Sequence, residues 1–301
     1  MNKKTNIKNV GILGWSSFYK NYSKEKLVNL INLLKKEQRN IVLHSSTAYS
    51  LNSGSDINLI LSKLIKDTNL RIQLKICSQP KELKSVSTII NQIKKYKVIF
   101  GNSLIGITIH RPRINKRAVF DFFMEKDMFD LRVGICLESL DRELIEFSNF
   151  DLIEMPLNIL DFKLNSELFM ECQNSGKDIL IRSALASGLL SKKNICLDKT
   201  FNDPFRKRFS KDMEALKDRK LKSINIEKYF DTKFYDKNYL FEYFCYDVIS
   251  NLTNNTRIIF GGTNLEQLKL NLNYQTSSFS NEMGAEIEEK VLNEWSARYY
   301  Q

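Results

Sequence analysis

No stretch of this 301-residue sequence approaches the roughly 20 uninterrupted apolar residues that a membrane span requires. The opening Met1-Asn2-Lys3-Lys4-Thr5-Asn6 is polar and runs directly into a short strand-like segment. With no apolar core behind those lysines, no signal peptide is expected and a cytoplasmic protein is. Cysteine is sparse: Cys77, Cys136, Cys172, Cys196 and Cys245 are odd in number, widely scattered and without a C-x-x-C pair. That pattern argues against both a disulfide framework and a zinc ribbon, and points to buried reduced thiols. Histidine is sparser still, with only His44 and His110. There is no internal repeat and no low-complexity segment.

Positive charge is abundant, with 46 Lys and Arg against 35 Asp and Glu, a net charge of +11. Such an excess raises the question of nucleic acid or an anionic small molecule. Lysine is nevertheless spread along the whole chain with Asn and Ile, as in a global compositional bias. Most of it therefore reads as solvated surface, and no nucleic-acid partner is expected. The 43% hydrophobic content is ample for a full core. Length alone would allow two domains, but barrels of this size routinely form a single one.

Short apolar runs alternate with longer amphipathic stretches. Val10-Gly11-Ile12-Leu13-Gly14 and Ile41-Val42-Leu43-His44 read as strands. Further strands are predicted at Arg71–Lys75, Leu104–His110, Leu131–Ile135, Asp151–Pro156, Asp178–Arg182 and Arg257–Gly261. Helical periodicity fills the intervals at Lys24–Lys36 (with Ser23 as N-cap), Ile57–Ile65, Lys81–Tyr96, Lys116–Lys126, Leu140–Phe147, Asn165–Asn174 and Lys237–Asn251, and from about Asn264. Eight strands, each followed by helical sequence, imply a parallel sheet of the number that closes: an α/β (β/α)8 TIM barrel in a single domain. The spacing breaks once, in a long insertion at about 191–235. Its Phe205–Lys222 stretch holds eight basic residues, Arg206, Lys207, Arg208, Lys211, Lys217, Arg219, Lys220 and Lys222, against three acidic ones. As a long loop at the active-site face it would focus positive potential there, favouring an anionic substrate. As solvated surface it would do nothing.

In a barrel, residues at strand C-termini face the active-site mouth. Both histidines end predicted strands, Lys75 ends the third, and Tyr49 lies just past the second. A phenol beside a cation is the more acidic for it, and can donate a proton to a carbonyl oxygen and take it back in reverse. His110 could hold that carbonyl in line. A zinc site on His44 and His110 would need further ligands, for which Glu154 and Cys136 are the candidates, and we assign no metal.

Strand–tyrosine–helix, then Lys75, then His110 resembles the active site of the aldo-keto reductases. The segments Gly11-Ile12-Leu13-Gly14-Trp15, Leu131–Ile135, Asp151–Asp161, Ile181–Leu190 and Phe260–Leu268 are similar to that family's in the same order, covering nearly the whole chain. The resemblance implies an oxidoreductase that interconverts a carbonyl and an alcohol, on a small or sugar-like substrate, with NADP or NAD. Tyr49 is then the general acid/base, Lys75 the group that tunes it, His110 the orienting group and His44 the fourth member. The resemblance further implies a cofactor contacted by Trp15, Cys136, Glu154, Arg182, Ser183, Leu185, Gly188 and Leu190. Gly262, Thr263, Asn264 and Gln267 form the closing loop.

Five positions depart from the family. His44 stands where an aspartate pairs with the lysine, which makes the lysine's charged form less favoured. Cys136-Leu137 replaces Ser-Asn and Glu154 replaces a glutamine, all three of which would hold the carboxamide. Thr263 replaces a basic residue, so a preference for NADP over NAD is not supported. The alternative is a catalytically altered or inactive barrel that acts as a ligand-binding or partner protein.

Overall fold

The computed structural model describes residues 7–13, 23–37, 39–50, 56–147, 149–191, 213–234, 240–252 and 256–294. Its strands are β1 (Ile7–Gly11), β2 (Asn40–Ser46), β3 (Arg71–Ile76), β4 (Leu104–His110), β5 (Arg132–Cys136), β6 (Leu152–Pro156), β7 (Asp178–Arg182) and β8 (Thr256–Phe260). Each is parallel to the next, and β1 closes on β8 with Asn9 opposite Ile259 and Val10 opposite Phe260. The expected (β/α)8 barrel is therefore what forms.

The outer layer contains α1 (Lys24–Lys35), α2 (Ile57–Ile65), α3 (Val86–Phe100), α4 (Lys116–Met124), α5 (Arg142–Glu146) and α6 (Phe162–Asn174). It continues with α7 (Met213–Lys233), α8 (Phe241–Ser250), α9 (Leu265–Asn273) and α10 (Asn281–Ile287). The helix α1 follows from spacing: Leu27, Leu30, Ile31 and Leu34 form its buried face. Its N-cap is Ser23, which accepts from the Lys26 amide at 3.1 Å. The helix α3 begins later than the sequence pattern predicts. Ser85 caps it in a reciprocal box with Thr88, and Pro80–Leu83 forms a separate 3-10 turn ahead of it. No helix among the described residues is long and apolar enough to cross a membrane.

The insertion is the main correction to the sequence reading. Rather than loop throughout, it contains the 21-residue helix α7. Its buried positions Arg219, Ser223, Ile226 and Phe230 recur at helical spacing, but the first two are polar, which hid the period. Arg219 is fully enclosed and grips Asp161, just beyond β6, with both guanidinium arms; Nη2 lies 3.0 Å from Oδ2. Lys222 pairs with Asp218 at 3.1 Å. Two of the eight basic residues are thus neutralised locally, while Arg206, Lys207, Arg208 and Lys211 lie outside the described residues.

Gly134 on β5 leaves no room for a side chain beside β6. A Cβ on Gly134 would meet the Leu152 carbonyl oxygen at 2.4 Å and its Cγ at 2.5 Å, in a wall that cannot give way. Gly134→Ala should therefore cost about 1–3 kcal/mol or more. A urea denaturation curve would show this as a lowered midpoint, and an unchanged midpoint would mean that the two strands can separate cheaply.

Candidate active site

The C-terminal ends of the strands surround a cavity of about 940 Å³. Tyr49, Lys75, His110, His44, Glu154 and Arg182 all line it. Tyr49 reaches it from a single 3-10 turn, Thr47–Ser50, that continues β2. The tyrosine is half-buried against the core and close enough to Lys75 to act on it electrostatically.

Lys75 has a carboxylate partner, on a different strand from the one the sequence comparison would assign. Its Nζ is paired with Oε1 of Glu154, across the barrel from β3 to β6. Burial works against the ammonium, but the facing Cys136 and Glu154 more than offset it, and the Lys75 pKa stands above its ordinary value. Burial holds Cys136 as a neutral thiol, which leaves Glu154 as the standing counter-charge. Burial also opposes ionisation of Glu154, yet Lys75 and Arg182 hold its carboxyl below the usual range. The expectation that His44 leaves Lys75 poorly ionised is therefore corrected: Glu154 supplies the charge that position 44 lacks.

His44 turns instead toward β1, with Nε2 3.0 Å from Oδ1 of Asn9. Its pKa falls to about 4, chiefly through burial, with Lys75 adding to the effect and Glu154 only partly countering it. His110 is likewise lowered to about 4 by burial and then by the Lys75 cation. Both imidazoles are neutral at pH 7, as a ring that hydrogen-bonds a carbonyl without competing for protons must be. The Nδ1 of His110 is buried without a hydrogen-bond partner among the described residues.

A second ionic contact lies beside the first. Arg182 Nε is 3.6 Å from the same Glu154 Oε1, and Arg182 Nη2 is 2.6 Å from Oε1 of Glu138. Burial opposes the Glu138 charge, and Arg182 overrides it to hold the carboxyl below its usual range. Sequence reasoning missed Glu138, although its place two residues past the β5 tip was the signal that could have found it. His110, Cys136 and Glu138 also bring one donor atom each within 4.8 Å of one another. With the Lys75 and Arg182 cations alongside, this corner is poorly suited to a divalent ion.

Other expected cofactor contacts divide. Ser183, Leu185, Gly188, Gly262, Thr263 and Gln267 line the cavity. Cys136 and Leu190 are buried in the core, Asn264 caps α9 by accepting from the Gln267 amide at 2.9 Å, and Trp15 lies outside the described residues. Leu137 is also in the core, its amide bound to the Glu154 carbonyl at 2.9 Å. After β7, the non-glycine residues Ser183, Ala186 and Ser187 hold φ of 60°, 48° and 58°. Such backbone costs about 1–3 kcal/mol per residue and concentrates at ligand-binding loops. After β8, a Cβ on Gly261 would meet none of the described residues within 4 Å. That glycine's carbonyl accepts from Asn271 Nδ2 at 2.6 Å, and Asn271 Oδ1 in turn accepts from Tyr246 at 3.0 Å.

The barrel is similar in structure to that of an aldo-keto reductase from Bacillus halodurans in its holo form, at 16% identity and a TM-score of 0.70, over 98% of this chain and 93% of that one. It is similar to a glycerol dehydrogenase from Gluconobacter oxydans at 13% identity and a TM-score of 0.71, over 98% and 94% of the two chains. It is also similar to an aldo-keto reductase from Klebsiella pneumoniae in complex with NADP and acetate, at 9% identity and a TM-score of 0.65, over 98% and 93%. By sequence, no family model and no curated protein matches the chain. The protein thus has the fold of the aldo-keto reductases, end to end.

The two depressed histidines set a pH dependence of stability. The unfolded chain binds their protons below about 6.5 while the native state declines them until about 4, so stability is complete above 6.5 and is lost on acidification through that window. At full extent the loss is on the order of 3 kcal/mol per histidine. Urea midpoints at pH 7 and pH 4.5 would measure it, and His44→Gln should flatten the dependence. Equal midpoints at the two pH values would contradict it.

Glu154→Leu should cost about 3–5 kcal/mol by stranding the Lys75 ammonium, and adding Lys75→Met should recover much of that. Additive losses in the double variant would mean that the pair is not coupled.

Proposed function

We propose that the protein is an NAD(P)-dependent oxidoreductase that interconverts a carbonyl and an alcohol, with Tyr49 as the general acid and base. The observation that carries this reading is the placing of Tyr49, a charged Lys75 and a neutral His110 on one cavity at the strand ends. The Tyr49 hydroxyl gives its proton to the carbonyl oxygen in reduction and takes it back in oxidation. Lys75, kept protonated by Glu154, favours the phenolate left behind. His110 offers a ring N–H to hold the carbonyl oxygen without taking up a proton itself.

The loops after β7 and β8 fit a dinucleotide. The left-handed residues Ser183, Ala186 and Ser187 and the open face of Gly261 border a cavity long enough to run between the two loops. A nicotinamide dinucleotide bound there supplies or accepts a hydride. Thr263 donates through its amide at 2.9 Å and its hydroxyl at 3.2 Å to Gln267 Oε1, and neither side chain favours a 2′-phosphate by charge.

One observation favours a second reading. Leu137 is in the core and Glu154 is committed to Lys75 and Arg182, so neither is free for a carboxamide. A barrel that keeps the acid–base groups and binds its ligand without nicotinamide chemistry would look like this.

Fluorescence titration with NADPH, NADH, NADP+ and NAD+ separates the two. We expect binding, with the two reduced forms differing by less than about tenfold. Tyr49→Phe should lower turnover of aldehydes by about 10²–10⁴ while leaving cofactor affinity intact. Gly261→Ala should leave stability unchanged and weaken dinucleotide binding. Absence of binding by all four dinucleotides would overturn the oxidoreductase reading.

A further inference from the structure

Four charged groups meet at the floor of the cavity, and only one of them is free to leave. The Lys75 and Glu154 side chains are 15% and 5% exposed, and that of Arg182 is 22% exposed. The Glu138 side chain is 59% exposed. A single oxygen of this carboxylate, Oε1, stands 2.6 Å from Arg182 Nη2 and 4.0 Å from His110 Nε2. Nη2 of the buried guanidinium has Glu138 as its close anion, while Nε, 3.6 Å from Glu154, has no hydrogen bond among the described residues. A buried guanidinium needs an anion beside it, and the one in close contact here is carried by a side chain that lies largely in water.

We propose that Glu138 is a placeholder for the carboxylate of the substrate, and that the substrate class is the 2-oxo acids and their 2-hydroxy acid counterparts. This rests on the reading that Tyr49 and His110 handle a carbonyl. Glu138 Oε1 marks a spot that accepts a carboxylate oxygen between Arg182 and His110. A substrate carboxylate placed there sets the adjoining carbon beside His110, the group that orients the carbonyl. Glu138 can swing into water at little cost, whereas Glu154 cannot. The exchange also conserves charge. Lys75 and Arg182 balance Glu138 and Glu154 before it, and Glu154 and the substrate after it, so a monoanion fits without leaving a net buried charge. A phosphate, with close to two negative charges, does not. The carboxylate itself undergoes no bond change, and its work is to fix which face and which end of the carbonyl compound meets Tyr49.

The test compares 2-oxobutyrate with 2-butanone, which has the carbonyl in the same place and no carboxylate, in binding and in NADPH-dependent turnover. The wild type should bind 2-oxobutyrate at least tenfold more tightly than the ketone. Arg182→Gln should remove that preference. Glu138→Gln, on an exposed side chain that folding does not need, should tighten 2-oxobutyrate binding severalfold by removing the resident competitor. Equal handling of the two compounds, or oxo-acid affinity untouched by Arg182→Gln in a variant whose circular dichroism is native, would overturn the proposal and leave the oxidoreductase reading standing. A weaker or unchanged affinity in Glu138→Gln would overturn the placeholder role independently. Arg182-dependent binding of the acid without any dinucleotide binding would support the carboxylate site and overturn the oxidoreductase reading instead.

Discussion

The pairing of Lys75 with Glu154 is the constraint around which this active-site mouth is arranged. An ammonium in the throat of a barrel needs an opposite charge close by, because its hydration has been stripped away. Here that charge arrives from β6, three strands further round the barrel, and it draws in Arg182 from the next strand. With the carboxylate supplied from the far wall, the near wall at position 44 is released from electrostatic duty. His44 accordingly behaves as a neutral, enclosed ring that braces β2 against β1 through Asn9.

This arrangement connects what the site gains with what it gives up. A glutamic acid at position 154 cannot neutralise two cations and also offer an amide to a nicotinamide ring. Positions 44 and 154 are therefore coupled in this site: the buried acid stands on the sixth strand, and the second strand carries a neutral histidine. Arg182 and Glu138 extend the same charge network toward the solvent side.

The architecture was legible in the sequence because a parallel barrel repeats its signal eight times. Each strand is a short apolar run buried on both faces, and a misplaced boundary in one leaves the count intact. Legibility failed where burial is polar. The helix α7 hides behind Arg219 and Ser223, which look like surface residues until Asp161 is seen to receive the arginine. In the site, Tyr49, Lys75 and His110 could be picked out because strand ends are privileged positions. Which acid meets which base could not, since Glu154 and Lys75 are 79 residues apart and come together only through closure of the barrel. Glu138 escaped notice for another reason: an exposed acid in a lysine-rich chain carries no pattern of its own.

The missing side chain at Gly134 bears on where Glu154 sits. Gly134 lets Leu152 lie against the backbone of the neighbouring strand, two residues before Glu154. A strand seated that tightly carries its register with it, so the acid at its tip is delivered to one depth in the throat and no other. That depth is where Lys75 and Arg182 both reach the same carboxylate oxygen. A glycine with no chemistry of its own thus helps set where two cations find their shared counter-charge.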